Sequence, residues 1–171
     1  GDPFLFGRGG EELELLEKHH IPFEVVPGVT SAVSVPAYAG IPVTHRNFAS
    51  SVHIITGHKK ADKNDALDFT VLSQLEGTLV FLMGVSALDN ICSGLVQAGK
   101  AADTPAAILE QGTTAHQRRI VADLKTLPKK AQQANIQTPA IIVVGTVCTL
   151  AEQFAWAEKR PLGQSRIIVT R

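Results

Sequence analysis

The 171-residue sequence has only two cysteines, one tryptophan, one tyrosine and a single methionine, which is not its first residue. Two cysteines, Cys92 and Cys148, make neither a disulfide framework nor a zinc site. Both lie among apolar residues and read as reduced core side chains of an intracellular, cytoplasmic protein. Charge excess is also missing, since 16 lysines and arginines balance 16 aspartates and glutamates. That balance argues against broad electrostatic binding to nucleic acid or to an anionic membrane, while leaving room for a local basic pocket. The longest apolar runs, such as AIIVVG at 140–145, are too short to cross a bilayer. A signal-peptide pattern, an internal repeat and a low-complexity tract are absent as well.

The familiar catalytic spacings are missing too. His45, His53, His58 and His116 show no HxxxH or HExxH pattern, and His19 and His20 fit the end of a helix, so no metal site is expected. Ser50 and Ser51 lack a G-x-S-x-G context and read as polar residues at a strand start. Gly1, Gly7, Gly9 and Gly10 match neither the dinucleotide fingerprint nor a P-loop.

What is present is a globular composition, 44% hydrophobic and 19% charged, with ample material for a core. Leu13 and Leu16 place a helix over 10–20, and IPFEVVPG predicts a strand stopped by Pro27 and Gly28. Thr30 or a close neighbour caps a small-residue helix that ends at Gly40. Beyond a connector at 42–47 come a strand at 51–58, a helix at 64–75, a strand at 77–84 and a helix at 86–99. A strand at 104–112 follows, then an alternating antiparallel or edge strand from 117, a buried strand at 139–147 and a helix at 149–159. Short connections and strands buried on both faces indicate layered α/β architecture. The tail contains a further apolar run, Ile167–Val169, read either as a last strand of the sheet or as a linker into a following domain.

Glycine-bearing turns recur at strand ends: PGVTSA, MGVSA and EQGTT. In α/β proteins the ligand crevice lies outside the carboxyl ends of strands, so several such ends together indicate a site. The opening GDPFLFGRGG runs into a helix and reads either as a tight turn with a structural aspartate or as a loop offering backbone N–H groups to a ligand. Met83 is either core filler or an apolar wall at a strand end.

In that order GDPFLFGRGGEE, VVPGVTSAVSVPAYAGIPVTHR, SSVHIITGH, GTLVFLMGV, EQGTTAHQRR and TPAIIVVGTV resemble the tetrapyrrole methylase family. The resemblance covers nearly the whole chain and lies nearest to members that act on uroporphyrinogen III. It implies a homodimeric two-domain α/β methyltransferase. Residues 1–44 would be the rear of the first domain, 45–160 a complete second domain with a mixed sheet, and 161–171 a linker. It implies S-adenosylmethionine as cofactor, S-adenosylhomocysteine as product, no metal, and methylation of uroporphyrinogen III at ring carbons 2 and 7 to give precorrin-2, towards sirohaem and cobalamin. By motif, Gly1, Asp2, Leu5, Thr30, Ser31, Met83, Gly112 and Ala140 would contact the cofactor, and Arg8 the carboxylates of the tetrapyrrole. The family's acid–base residues belong to an N-terminal segment that the resemblance places before Gly1, so the 171-residue chain alone is expected to be inactive. The tail resembles a junction to uroporphyrinogen-III synthase. Two other readings stay open: a methyltransferase of a later precorrin, and a non-catalytic dimerisation or binding module.

Overall fold

The computed structural model describes residues 1–57, 67–161 and 168–170. Its centre is a five-stranded mixed sheet of β1 (Val52–Thr56), β2 (Thr78–Leu82), β3 (Pro105–Glu110), β4 (Arg118–Asp123) and β5 (Ala140–Val144). The order across the sheet is β1-β2-β5-β3-β4. β1 and β2 are parallel, whereas β5 runs antiparallel to both β2 and β3, and β4 antiparallel to β3. The alternating sequence from residue 117 therefore forms an edge strand, as its polar–apolar pattern predicts.

Every residue of β2 is buried, and period-two alternation sends its side chains into two cores. Val80 and Leu82 join Ala107, Val143 and the helix α2 (Ser31–Tyr38), which contributes Ala32 and Val35. Leu79 and Phe81 face the other way, against Ile91 and Leu95 of α4 (Leu88–Gln97) and Leu127 of α5 (Leu127–Gln133). Each such large side chain contributes about 1.5–3 kcal/mol on full burial. Two shorter elements complete the layers: α1 (Gly9–Lys18), which buries no residue, and α3 (Phe69–Gln74), capped by the Asp68 carboxylate on the Thr70 and Val71 N–H groups. The predicted helix at 64–75 falls partly outside the described residues, as do His58 and Ile167.

Two expected elements do not form. Residues 21–28 carry no strand, because no other described strand pairs with them and the chain there includes Pro22 and Pro27, which lack N–H donors. Ile21, Phe23 and Val26 remain exposed as a result. The helix expected at 149–159 is replaced by a 3-10 turn, Thr146–Leu150, and irregular turns. Here tertiary partners take the groups a helix would use. The Ala151 carbonyl accepts from Arg119 Nη1 at 2.9 Å, and the Trp156 indole donates to the Ala37 carbonyl at 2.8 Å. Arg119, only 8% exposed, also pairs with Glu152 and Glu158 and donates to the Ala39 carbonyl. Residues 151–158 are thereby fastened to the end of α2. Conversely, α5 was not anticipated, although Pro128 at its first turn is a start signal.

Candidate functional site

The carboxyl ends of β2 and β3 and the amino end of β5 meet at one edge of the sheet, because β5 runs antiparallel between them. The amino end of α2 and the loop 1–7 complete a cavity of about 940 Å³ there. That is within the range of small-molecule and cofactor sites. Six residues singled out in the sequence line it together: Gly1, Leu5, Ser31, Met83, Gly112 and Ala140. They are up to 139 positions apart in the sequence, and the strand-end logic is what gathers them.

Three others, Asp2, Thr30 and Arg8, do not line it. The Asp2 carboxylate accepts from the Gly28 N–H and the Phe4 N–H, both at 2.9 Å, and so ties the first loop to the segment before α2. These bonds, the Gly28 one foremost, hold its carboxyl below the ordinary value. At Gly28 an added Cβ would lie 2.0 Å from the Gly1 carbonyl oxygen, so the close approach requires glycine. Thr30 is the N-cap of α2, its hydroxyl accepting from the Ala32 N–H at 3.2 Å. Arg8 precedes α1, exposed and paired with Glu11 at 2.7 Å.

The wall also contains residues that sequence reasoning passed over. Gln111, Thr113 and Thr114 follow β3, Ser34 lies on α2, Ser86 follows β2, and Thr138 precedes β5. EQGTT had pointed to this turn through its glycine, and the neighbouring hydroxyls and amide were the overlooked part of the signal. Six non-glycine residues among those described have positive φ, and four of them, Phe6, Met83, Gln111 and Thr113, line this cavity. The other two, His20 and Asn135, follow helices α1 and α5, where such a conformation is ordinary. Backbone held in this region costs roughly 1–3 kcal/mol per residue and clusters where a ligand surface is shaped.

Chemically the cavity joins apolar walls from Leu5, Val35, Leu82, Met83, Leu109 and Ile141 to a rim of hydroxyls. Among the described residues its lining carries no ionisable side chain. Such a surface suits a ligand with an apolar or aromatic part and neutral hydrogen-bonding groups, which the Ser and Thr hydroxyls can meet as donor or acceptor. It offers no general base of its own.

Beside it, Glu110 is 2% exposed at the end of β3. One carboxylate oxygen is paired with Arg118, and the other accepts from the Gln137 N–H at 2.6 Å. The Arg118 hydrogen bond, ahead of the Gln137 bond, holds the Glu110 carboxyl below its ordinary value in spite of burial. Elsewhere, Ser51 and His53 both lie within hydrogen-bonding distance of the Glu76 carbonyl, a strand-start role. No group of three or more metal-ligating side chains occurs among the described residues, and no helix among them is long and apolar enough to cross a membrane.

Comparison with known proteins gives this arrangement its context. The family described as Tetrapyrrole (Corrin/Porphyrin) Methylases matches residues 1–128. The chain is 56% identical over its full length to the porphyrin biosynthesis protein HemD of Ruminiclostridium josui, covering 34% of that protein. It is 47% identical over 96% of its length to the sirohaem synthase of Nitrosomonas europaea, covering 35% of it. It therefore spans about a third of the length of these curated relatives. Among solved structures, uroporphyrin-III C-methyltransferase from Thermus thermophilus complexed with S-adenyl homocysteine aligns with a TM-score of 0.72 and 33% identity. That alignment covers 87% of this chain and 64% of the other. A cobalt precorrin-4 methyltransferase at 22% identity shares the fold, with a TM-score of 0.78 over 86% of this chain and 62% of that one. A family match over most of the chain, together with a mixed sheet whose strand ends enclose one cavity, leads to one conclusion: the chain belongs to the tetrapyrrole methylase family.

Proposed function

We propose that this chain is part of an S-adenosylmethionine-dependent enzyme that C-methylates uroporphyrinogen III at ring carbons 2 and 7 to give precorrin-2. The observation that carries the reading is the cavity itself, in which Gly1, Leu5, Ser31, Met83, Gly112 and Ala140 converge. Its apolar walls and hydroxyl rim fit a nucleoside bearing a thioether or sulfonium chain. The neighbour that holds S-adenyl homocysteine is 33% identical. When bound, the cofactor supplies a methyl group that is already electrophilic. The residues around the cavity then serve to place the ring carbon against that methyl group, and the proton the ring loses afterwards goes to acid–base groups outside this cavity. Met83 and Leu5 form the apolar side of the site, the Ser31 hydroxyl and the Gly112 backbone its polar side. Asp2 and Thr30 act from behind by fixing the first loop and the start of α2. Arg8, set at the head of α1, provides a fixed cation for the substrate's carboxylates. A homodimer, a domain division near residue 44 and a uroporphyrinogen-III synthase moiety beyond residue 171 belong to the same reading.

Thermal denaturation of the 171-residue chain with increasing S-adenosylhomocysteine tests it. Ligand at one hundred times its dissociation constant stabilises by about 2.7 kcal/mol, so the melting temperature rises with concentration. A melting temperature unmoved at about millimolar ligand contradicts the reading and favours a non-catalytic module.

A further inference from the structure

We propose that Glu110 is a positioning residue for the cavity, setting the spacing of its 111–114 and 138–140 walls through its bonds to Arg118 and Gln137. The inference rests on the cofactor reading only for what occupies the cavity, not for the mechanical role of the carboxylate.

Glu110 is the one charged residue fully buried among those described. Removing a carboxylate from water is expensive, and an apolar residue of similar size would serve stability as well. A buried charge kept at a strand end therefore calls for a geometric reason. Its two oxygens serve different segments: Oε1 accepts from the Gln137 N–H, Oε2 from Arg118 Nε. Arg118 in turn donates through Nη1 to the Ala134 carbonyl at 3.1 Å, just past the end of α5. One carboxylate thus joins the end of β3, the start of β4 and the connection from α5 to β5.

Both cavity walls begin at this junction. Immediately after Glu110 the chain enters Gln111 at φ +46° and Thr113 at φ +70°, conformations that persist only where neighbours over-determine them. Immediately after Gln137 come Thr138, Pro139 and Ala140, which form the adjoining part of the wall. Between the two the Gln111 N–H donates to the Pro139 carbonyl at 2.9 Å, closing a ring with the Glu110–Gln137 bond. Glu110 itself does not line the cavity, so its effect on a ligand passes through these walls.

The test compares the wild-type chain with E110Q, R118K and the double variant E110Q/R118Q. Hydrogen exchange of the ligand-free chain is read alongside calorimetric titration with S-adenosylhomocysteine. In E110Q, amides of 111–114 and of 137, 138 and 140 are expected to exchange faster, while those of β2 and α4 keep their wild-type rates. Affinity should weaken roughly three- to thirtyfold, the range for residues that act on a site through others. R118K, which keeps the charge but loses the planar fork, should reproduce the pattern on a smaller scale and stands in if E110Q does not fold. The double variant loses the shared pair once and the Arg118–Ala134 bond besides, so it should be somewhat worse than E110Q but open the same amides. Unchanged local exchange, a uniform rise across β2 and α4, or wild-type affinity in a folded E110Q would each overturn the proposal. A wild-type chain that does not bind S-adenosylhomocysteine counts against the cofactor reading instead, and the exchange pattern then decides the role of Glu110 alone.

Discussion

Replacing Gly112 by alanine isolates the contact that seats α2 against the end of β3. The added Cβ would lie 2.2 Å from Val35 Cγ1 and 2.5 Å from its Cγ2, far inside any real carbon contact. Val35 is 6% exposed and helical, so its branched side chain has one strongly preferred rotamer and cannot swing away. Overpacking of this kind costs about 1–3 kcal/mol, and contact with both methyl groups puts Gly112→Ala at the upper end. Against this, alanine restricts the unfolded chain and returns about 0.4–1 kcal/mol. The net loss is about 2 kcal/mol, or a melting temperature lower by about 4–8 °C for a chain of this size. The second arm removes the obstacle. Val35→Ala alone deletes two methyl groups, about 1.6 kcal/mol. In the Gly112→Ala background it also relieves the clash, so the double variant should be at least about 1 kcal/mol more stable than the sum of the singles. Urea denaturation measures all four chains. Additivity within about 0.5 kcal/mol, or a Gly112→Ala chain melting at or above wild type, refutes the packing argument.

Acid should unfold the chain through identifiable groups. Asp2, Glu110 and Asp123 are held below their ordinary values chiefly by the Gly28 N–H, by Arg118 and by the Thr126 hydroxyl respectively. A lowered carboxyl lends stability that is complete above the ordinary value, 4.5 for Glu110, and is lost as pH falls through the lowered one. The urea midpoint followed from about pH 6 to 2 should therefore fall less steeply in E110Q, and an identical slope would show that Glu110 is not among the responsible groups. Burial pushes the thiols of Cys92 and Cys148 up to about 12. Neither should react with iodoacetamide at about pH 8 in the folded chain, and both should in denaturant, as mass spectrometry can read; rapid native labelling would contradict the core assignment.

The sheet was largely legible because its signal is local. TLVFL and IIVV are continuous apolar runs, and RRIVAD alternates; each pattern follows from how many faces of the strand are covered. Residues 21–28 and 149–159 misled for the opposite reason. Their side chains carry a strand and a helix pattern, yet a strand needs a partner, and in the latter segment Arg119 takes the Ala151 carbonyl from outside while Trp156 reaches out to the Ala37 carbonyl. At the site, glycine at strand ends marked the positions of Met83 and Gly112, whereas Ala140 came from the family resemblance alone. The local pattern marked Thr30 as a helix cap, which it is, but could not show that Asp2 would turn its side chain to the Gly28 N–H, since that depends on a neighbour 26 residues away meeting it in space. Glu110 was hidden for the same reason, because its burial depends on Arg118 and Gln137 closing over it.

The place of β5 has a consequence for how the protein is made. It is the last of the described strands and the middle strand of the sheet. Until residues 140–144 leave the ribosome, β1–β2 and β3–β4 are two separate ribbons with bare inner edges, and small ribbons of that kind are marginal in water. Synthesis from the amino end therefore cannot settle the two halves one after the other, and both wait for the same wedge. Because Ala140 opens that wedge and also borders the cavity, the cavity and the two cores come into being in a single late event.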